Sequence, residues 1–244
     1  MAEHAFGVVY TPSNVSGEKP NALTEQFLDS QNVQFIRVTW VDWINNIRCR
    51  VIPRPYFRKL LESSRPGVSL TKAALGLVGL MLAPGFSGTG EYLYALDLSS
   101  FRLCPYAPGH ASVMGFFQYK VPDPQYGLEL QHCPRRVLQK VEQRAKDKAG
   151  VTYLVGFESE FTLLSATTPK PVTVNDADWS LSAKLPGGSV EATVLEEIAV
   201  KLAEASIELQ MYHAEAAPGQ VSLFECLHSW LTYCLGSTKL LLVL

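Results

Sequence analysis

The sequence predicts an α+β fold in which a strand-rich N-terminal part precedes alternating helices and strands. Hydrophobic residues make up 47% of the 244 residues and charged residues 18%, so the chain can bury a substantial core. Residues 33–52 are rich in β-branched and aromatic side chains, which favour strands. From residue 137 the pattern reads helix, strand, helix, strand, an order typical of α+β proteins rather than of a doubly wound parallel sheet.

The individual elements follow from local patterns. Residues 1–31 lack sustained periodicity and predict a flexible leader with one short helix near 23–28. Apolar residues at 33–42 and 47–52, joined through an Asn-Asn step, predict a β-hairpin. A short helix is predicted to begin at Pro55, and strands are predicted at 92–97, 111–119, 151–164 and 207–215. An amphipathic helix that ends at Gly150 is predicted from the apolar residues Val137, Leu138, Val141 and Ala145. A second helix is predicted to be capped by Ser189 and to carry the apolar stripe Val190, Val194, Ile198 and Leu202.

Charge, hydropathy and cysteine usage exclude several classes of function. With 21 Lys+Arg against 23 Asp+Glu, the net charge is −2 and no basic cluster predicts nucleic-acid binding. No apolar run reaches the roughly 18 residues of a membrane span, so no membrane partner is expected. The five cysteines are widely spaced and lack a Cys-x-x-Cys pair, which predicts reduced thiols and a cytoplasmic location.

Two glutamates in the strand at 151–164 are the first candidate site residues. Glu158 and Glu160 are two residues apart, so both side chains lie on the face opposite the apolar one. Carboxylates this close favour a hard cation between them, and Mg²⁺ or Mn²⁺ is the natural candidate. The alternative is a solvated strand edge whose charged pair faces water.

A second polar segment begins at the end of the 207–215 strand. His213 and Glu215 share one face of that strand, and a Pro-Gly turn follows, so Glu215 offers a third carboxylate. A histidine on a strand is commonly a packing residue, and we do not count His213 as a ligand.

These two segments together carry a family resemblance. Gly-Phe-Glu-Ser-Glu-Phe at 156–161 and His-Ala-Glu-Ala-Ala-Pro-Gly-Gln at 213–220 resemble the glutamine synthetase motifs G-x-E-x-E-F and H-x-E-x-A-P-G-Q-x-E. Residues 35–53 resemble the N-terminal β-grasp hairpin of that family, and residues 105–109 resemble the segment that leads into its catalytic domain.

The resemblance implies a domain order and an activity. It implies a flexible leader (1–31), a β-grasp domain (32–107), the N-terminal part of a catalytic α+β domain (108–220) and a tail outside the family (221–244). The implied activity is an ATP-dependent ligase that phosphorylates the side-chain carboxylate of glutamate and lets ammonia or another amine displace the phosphate. Its active sites lie between subunits of stacked rings, so a homo-oligomer or a mixed ring with a full-length relative is implied.

The resemblance also assigns roles to four residues. Glu160 and Glu215 match ligands of a first divalent metal, and Glu158 matches a ligand of a second. Asp42 matches the aspartate that reaches into a neighbouring subunit's site and helps to hold ammonium. Asp42 can equally be a turn-forming residue before Trp43.

The resemblance stops after Gln220. The motif continues with a metal-binding Glu, but Val221-Ser222 follow here, and the arginines and later metal ligands of the family are not found beyond this point. We therefore expect a truncated, aggregation-prone chain that is inactive alone, with a tail that comes either from a retained intron or from a wrongly assigned end of the gene. The apolar spacing of that tail permits an amphipathic helix.

Two other functions remain open on the sequence. One is a non-catalytic partner that assembles into rings with a full-length relative and regulates it. The other is a metal-binding domain that hydrolyses phosphate esters through Glu158, Glu160 and Glu215.

Overall fold

The computed structural model describes residues 25–151, Tyr153 and residues 155–228, and these form two compact units that divide near Tyr153. Each unit has its own sheet and its own hydrophobic core. Both units contain helices and mainly antiparallel strands, which confirms the predicted α+β class.

The first unit is built on a six-stranded mixed sheet. Its elements are α1 (Glu25–Ser30), β1 (Phe35–Val41), β2 (Ile47–Pro53), α2 (Arg54–Leu61), β3 (Gly67–Thr71), a 3₁₀ turn (Lys72–Leu75), β4 (Leu77–Val78), β5 (Met81–Leu82), β6 (Glu91–Leu103), β7 (His110–Asp123), β8 (Gly127–Glu129) and α3 (Pro134–Ala149). The strand order is β2-β1-β7-β6-β3, with β8 beside β7; β1 and β7 are parallel and the other pairs antiparallel. A separate hairpin pairs β4 with β5.

The predicted hairpin and helices of this unit are confirmed. β1 and β2 pair from Phe35↔Pro53 to Val41↔Ile47. The helix α3 ends at Gly150, whose φ of 64° is the left-handed conformation expected of a glycine cap. Strand β3 was not predicted, because its five residues give too short a pattern beside Pro66.

The predicted leader is partly packed. Residues 1–24 lie outside the described residues, but α1 follows them and Leu28 is only 1% exposed, within the same core as Ile36 and Val113. The last part of the 1–31 segment therefore contributes to the core of the first unit.

The second unit places one helix against a three-stranded antiparallel sheet. Its elements are β9 (Val155–Thr162), β10 (Leu164–Ala166), β11 (Val172–Thr173), a 3₁₀ turn (Trp179–Leu181), α4 (Val190–Glu204), β12 (Leu209–Ala214) and β13 (Gln220–His228). The sheet order is β12-β13-β9, and β10 pairs with β11. Leu163, Val221 and Leu223 pack with Leu195 and Ile198 of α4.

The buried face of α4 differs from the predicted stripe. The Ser189 cap is confirmed, since its side chain accepts a hydrogen bond from the Ala192 N–H. Val190, however, is 54% exposed, whereas Leu195, which was left out of the stripe, is fully buried. Apolar residues surround the first two turns of this helix, so periodicity alone does not decide which of them faces the core.

The segment after Gln220 forms a strand, which corrects the helix suggested for it. β13 lies in the middle of the sheet and pairs with both β9 and β12. Val221 and Leu223 are buried while Ser222 lies on the other face, an alternation that belongs to a strand. β12 pairs with β13 along one edge and is the outer strand of this sheet, and residues 229–244 lie outside the described residues.

The predicted domain bounds remain predictions. β7 begins close to the predicted boundary at 107/108, yet it pairs with β1 and β6 in the sheet of the first unit. In the described part of the chain, no helix is both long and apolar enough to cross a bilayer.

Candidate metal site

The polar face of the three-stranded sheet carries the candidate site. Alternation along β9 directs Phe161 toward α4 and the two glutamates to the opposite side. In register, Ser222 lies between Glu160 on β9 and His213 on β12, and Phe224 faces Glu158. The sheet thus presents polar groups from three strands on one surface.

Each glutamate of β9 has its own hydrogen-bond donor on β13. Ser222 Oγ donates to Glu158 Oε1 at 2.8 Å, and Gln220 Nε2 donates to Glu160 Oε2 at 2.8 Å. Neutral donors therefore orient both carboxylates. Among the described residues, neither carboxylate forms an ion pair.

Glu215 lies one residue beyond β12, at the start of the tight turn that leads into β13. Its backbone N–H donates to the Gln220 carbonyl at 2.8 Å and closes the turn. Gly219 has a φ of 66°, and a Cβ there would meet the Leu163 carbonyl oxygen at 2.6 Å. Only glycine fits this position, so the Pro-Gly step fixes where Glu215 stands.

A partly buried polar pair, Asn175 and Glu191, supports the same turn. Asn175 Oδ1 accepts the Gly219 N–H at 2.7 Å, and Asn175 Nδ2 donates to Glu191 Oε1 at the start of α4. Burial opposes the charged form of Glu191, but hydrogen bonds from its own backbone N–H, Asn175 and Ser189 outweigh it and hold its pKa below the usual range. The charged Glu191 therefore fixes Asn175 by a hydrogen bond, and Asn175 stabilises the turn at Gly219.

The structure brings His213 together with two of the predicted carboxylates. One ligand atom each of Glu158, His213 and Glu215 lies within 4.8 Å of the others. His213 Nδ1 is 3.4 Å from Glu215 Oε1, and its ring packs on Phe224 with centroids 5.5 Å apart. Two carboxylates and an imidazole are a donor set that fits a divalent metal ion.

The structure does not bring Glu160 into this group. Glu160 stands on the same face as Glu158, as predicted, but its carboxylate is held by Gln220. Sequence analysis left His213 out, although its place two residues before Glu215 on one strand face was visible. Asn175 and Ser222 gave no signal, because their roles depend on contacts 44 and 64 residues away in sequence.

Asp42 lies in the first unit, at the turn between β1 and β2. Its side chain is fully buried, Oδ1 accepts the backbone N–H groups of Ile44 and Asn46, and Oδ2 pairs with Arg48 Nε at 2.6 Å. These contacts are those of the turn-forming aspartate that was the alternative reading. The role in holding ammonium stays a prediction.

Comparison with known proteins places this site in a family. Residues 131–227 match the model described as "Glutamine synthetase, catalytic domain". This segment belongs to the glutamine synthetase family. The match runs seven residues beyond Gln220, through most of β13.

Relatives extend the likeness over most of the chain. Protein fluG of Emericella nidulans is 30% identical over 209 residues, which cover 81% of this chain and 23% of fluG. The glutamate–methylamine ligase of Methyloversatilis universalis is 24% identical over 213 residues, 86% of this chain and 45% of the ligase. The solved structure of apo GmaS without ligand has a fold similar to this chain, with a TM-score of 0.65 at 17% identity over 82% of this chain and 44% of that chain.

The chain thus spans less than half the length of these three proteins. Ser222 stands where the family motif quoted above has a glutamate, so this chain replaces a carboxylate on the polar face by a hydroxyl that donates to Glu158.

Proposed function

We propose that this chain is part of an ATP-dependent ligase that joins glutamate to ammonia or a small amine. The observation that carries the proposal is the polar sheet face with Glu158, Glu160 and Glu215 within a segment of the glutamine synthetase family. A ligase of glutamate and methylamine among the relatives supports an amine as an alternative to ammonia.

The three glutamates are the proposed ligands for Mg²⁺ or Mn²⁺. Carboxylate oxygens suit these ions, and two of the three carboxylates already lie within reach of one ion. A bound ion would neutralise charge on the phosphate oxygens of ATP. The chain's own part in this reaction is to hold the carboxylates in place through Ser222, Gln220 and the turn at Gly219.

We also propose that the 244-residue chain does not turn over by itself. Phosphoryl transfer needs cationic side chains around the transferred group as well as metal ions. The last arginine in the sequence is Arg144, and no arginine occurs in the unit that holds the carboxylates. We propose that arginines of another chain supply the cationic groups for the transferred phosphate.

A non-catalytic assembly role is the second candidate, and the edge of the first unit's sheet favours it. β2 is the outer strand of that sheet, and large apolar side chains are exposed on and beside it. Trp43 is 47% exposed, Ile44 41% and Val51 46%. An exposed strand edge with apolar residues is a surface that another subunit can cover, and a homo-oligomer or a mixed ring would do so.

One assay separates these functions. The purified chain, alone and mixed with a full-length glutamine synthetase relative, is incubated with ATP, Mn²⁺, glutamate and either ammonia or methylamine, and amide product and phosphate are measured. We expect no product from the chain alone, and co-elution with the relative together with altered turnover in the mixture.

Each proposed function has its own result that would contradict it. Glutamate-dependent turnover by the chain alone that Glu160→Ala abolishes would refute the proposed inactivity while supporting the ligase. A chain that neither associates with the relative nor changes its turnover contradicts the assembly role. Glutamate-independent hydrolysis of phosphate esters would favour the third function considered on the sequence.

A further inference from the structure

The outer edge of β12 and the C-terminal half of α4 enclose an apolar groove in the second unit. Its volume is about 480 Å³, and it is lined by Ala199 and Ala203 of α4 and by residues 207–212. The two alanines are four residues apart and so lie on one face of the helix, where their small side chains leave room beside the strand. Leu209 and Tyr212 supply apolar surface from the strand.

The open stretch of β12 is short. β13 pairs with its inner edge, and among the described residues no strand pairs with its outer edge. At the far end of β12 the Ala183 N–H donates to the Ala214 carbonyl at 2.8 Å, so the segment before α4 covers that end. The uncovered stretch therefore runs from residue 207 to residue 213, which an added strand of about six residues can cover.

The described chain leaves β13 at the open end of this groove. Antiparallel pairing sets Glu225 opposite Leu209, so His228, the last described residue, lies level with the residues that precede β12. The outer side of β12 is two strand spacings from β13, about 10 Å, which three or four extended residues span. Residues 229–244 follow His228 and are long enough to reach the groove and to run along it.

Residues 240–244 have the composition that this groove suits. They are Leu-Leu-Leu-Val-Leu, and Lys239 directly before them carries the one charged side chain at 229–244. Glu208, which directly precedes β12, is likewise the one charged residue that lines the groove. Laid parallel to β12, the five apolar residues lie along 209–213 and place Lys239 beside Glu208.

We propose that residues 240–244 of this chain occupy the groove between α4 and β12 and pair with the outer edge of β12. A strand added there satisfies backbone groups of the edge and removes apolar surface on both sides from water. A second copy of the chain would have to compete with a segment that is tethered through residues 229–239. Such a tether gives an effective concentration in the millimolar range, above that of a protein in dilute solution.

Trypsin tests this docking, because Lys239 is the only tryptic site after Lys201. Cleavage there removes residues 240–244, and mass spectrometry of the intact chain measures the loss. Ala203→Glu puts a charge into the groove at an exposed position, and we expect it to speed this cleavage about tenfold or more, because the segment is then released to the protease. Ala149→Glu is the matched control on an exposed helical alanine of the first unit, and it should change the rate by less than about twofold.

A substitution in the docked segment keeps the test independent of how well the groove variant folds. Leu242→Asp leaves the described residues unchanged and should also speed cleavage about tenfold or more. Glu208→Gln should speed it by less than about fivefold, as expected of one surface ion pair. Each rate is divided by that of a synthetic peptide of residues 232–244 with the same tail sequence, and circular dichroism shows whether each variant is folded.

Three outcomes would overturn the inference. Equal cleavage rates for the wild-type chain and the peptide mean that the groove does not hold residues 240–244. Dimers in sedimentation velocity that Ala203→Glu dissociates, with Lys239 cleaved rapidly throughout, mean that a second copy occupies the groove. Slow cleavage of the wild-type chain that Leu242→Asp speeds and folded Ala203→Glu does not means that the segment docks on another surface.

Discussion

Gly219 shows how a single backbone position places a candidate ligand. Its positive φ and its approach to the Leu163 carbonyl oxygen exclude any side chain, and the turn that it makes carries Glu215. The motif around this glycine was visible in the sequence, as was the shared face of Glu158 and Glu160. The grouping with His213 was not, because it depends on side-chain positions across two strand pairings rather than on spacing along one strand.

Replacing this glycine should destabilise the second unit. For Gly219→Ala we expect a loss of about 2 kcal/mol or more in the free energy of unfolding, since the left-handed conformation and the close contact both oppose a Cβ. Urea unfolding followed by circular dichroism measures it. Gly187→Ala is the control, because a Cβ there meets nothing within 4 Å. Equal losses in the two variants would contradict the assigned role of Gly219.

Elements with strong local signals were predictable, and elements defined by packing were not. The hairpin of β1 and β2 and the helix α3 carry turn residues, caps and regular periodicity. The face of α4 and the strand β13 depend on which surface each meets. β13 in particular has apolar residues at 223, 224 and 227 that suit a helix as well, and only its pairing with β9 and β12 makes it a strand.

The observed face of α4 gives a test by paired truncation. Leu195 is fully buried in the core of the second unit, so Leu195→Ala should reduce the free energy of unfolding by about 2–5 kcal/mol. Val190, which belonged to the predicted stripe, is 54% exposed, and Val190→Ala should cost less than about 0.5 kcal/mol. Chemical denaturation of both variants measures the difference. A larger loss of stability in Val190→Ala than in Leu195→Ala would contradict the observed face of α4 and support the predicted stripe.

On the scale of the whole molecule, the two compact units separate the candidate functions. The carboxylates and His213 lie in the second unit, whereas Asp42 and the exposed apolar edge beside it lie in the first. The family match at residues 131–227 begins before the end of the first unit, so the family segment and the compact units do not share a boundary. The family match follows the sequence motifs, whereas the bounds of the compact units follow the pairing of the strands.

Metal binding should therefore protect one unit more than the other. A ligand at 100 times its Kd stabilises the state that binds it by about 2.7 kcal/mol, which slows hydrogen exchange through opening of that unit by up to about 100-fold. We expect Mn²⁺ to slow exchange in β9, β12 and β13 and to leave β1 and β6 unchanged, as measured by mass spectrometry of peptides. Glu158→Gln should abolish the effect. Equal protection of both units would place the bound ion elsewhere or couple the units' opening.

The central position of β13 has a consequence for synthesis on the ribosome. β13 is the last of its three strands to be made, about 60 residues after β9, so β9 waits roughly 3–12 s for its partner at typical elongation rates. During that interval the nascent chain exposes two open strand edges, which could pair with those of a neighbouring polypeptide on the same messenger RNA. Glu158 and Glu160 are both exposed on one face of β9, and like charges directly opposite each other disfavour pairing of β9 with a second copy of itself in register.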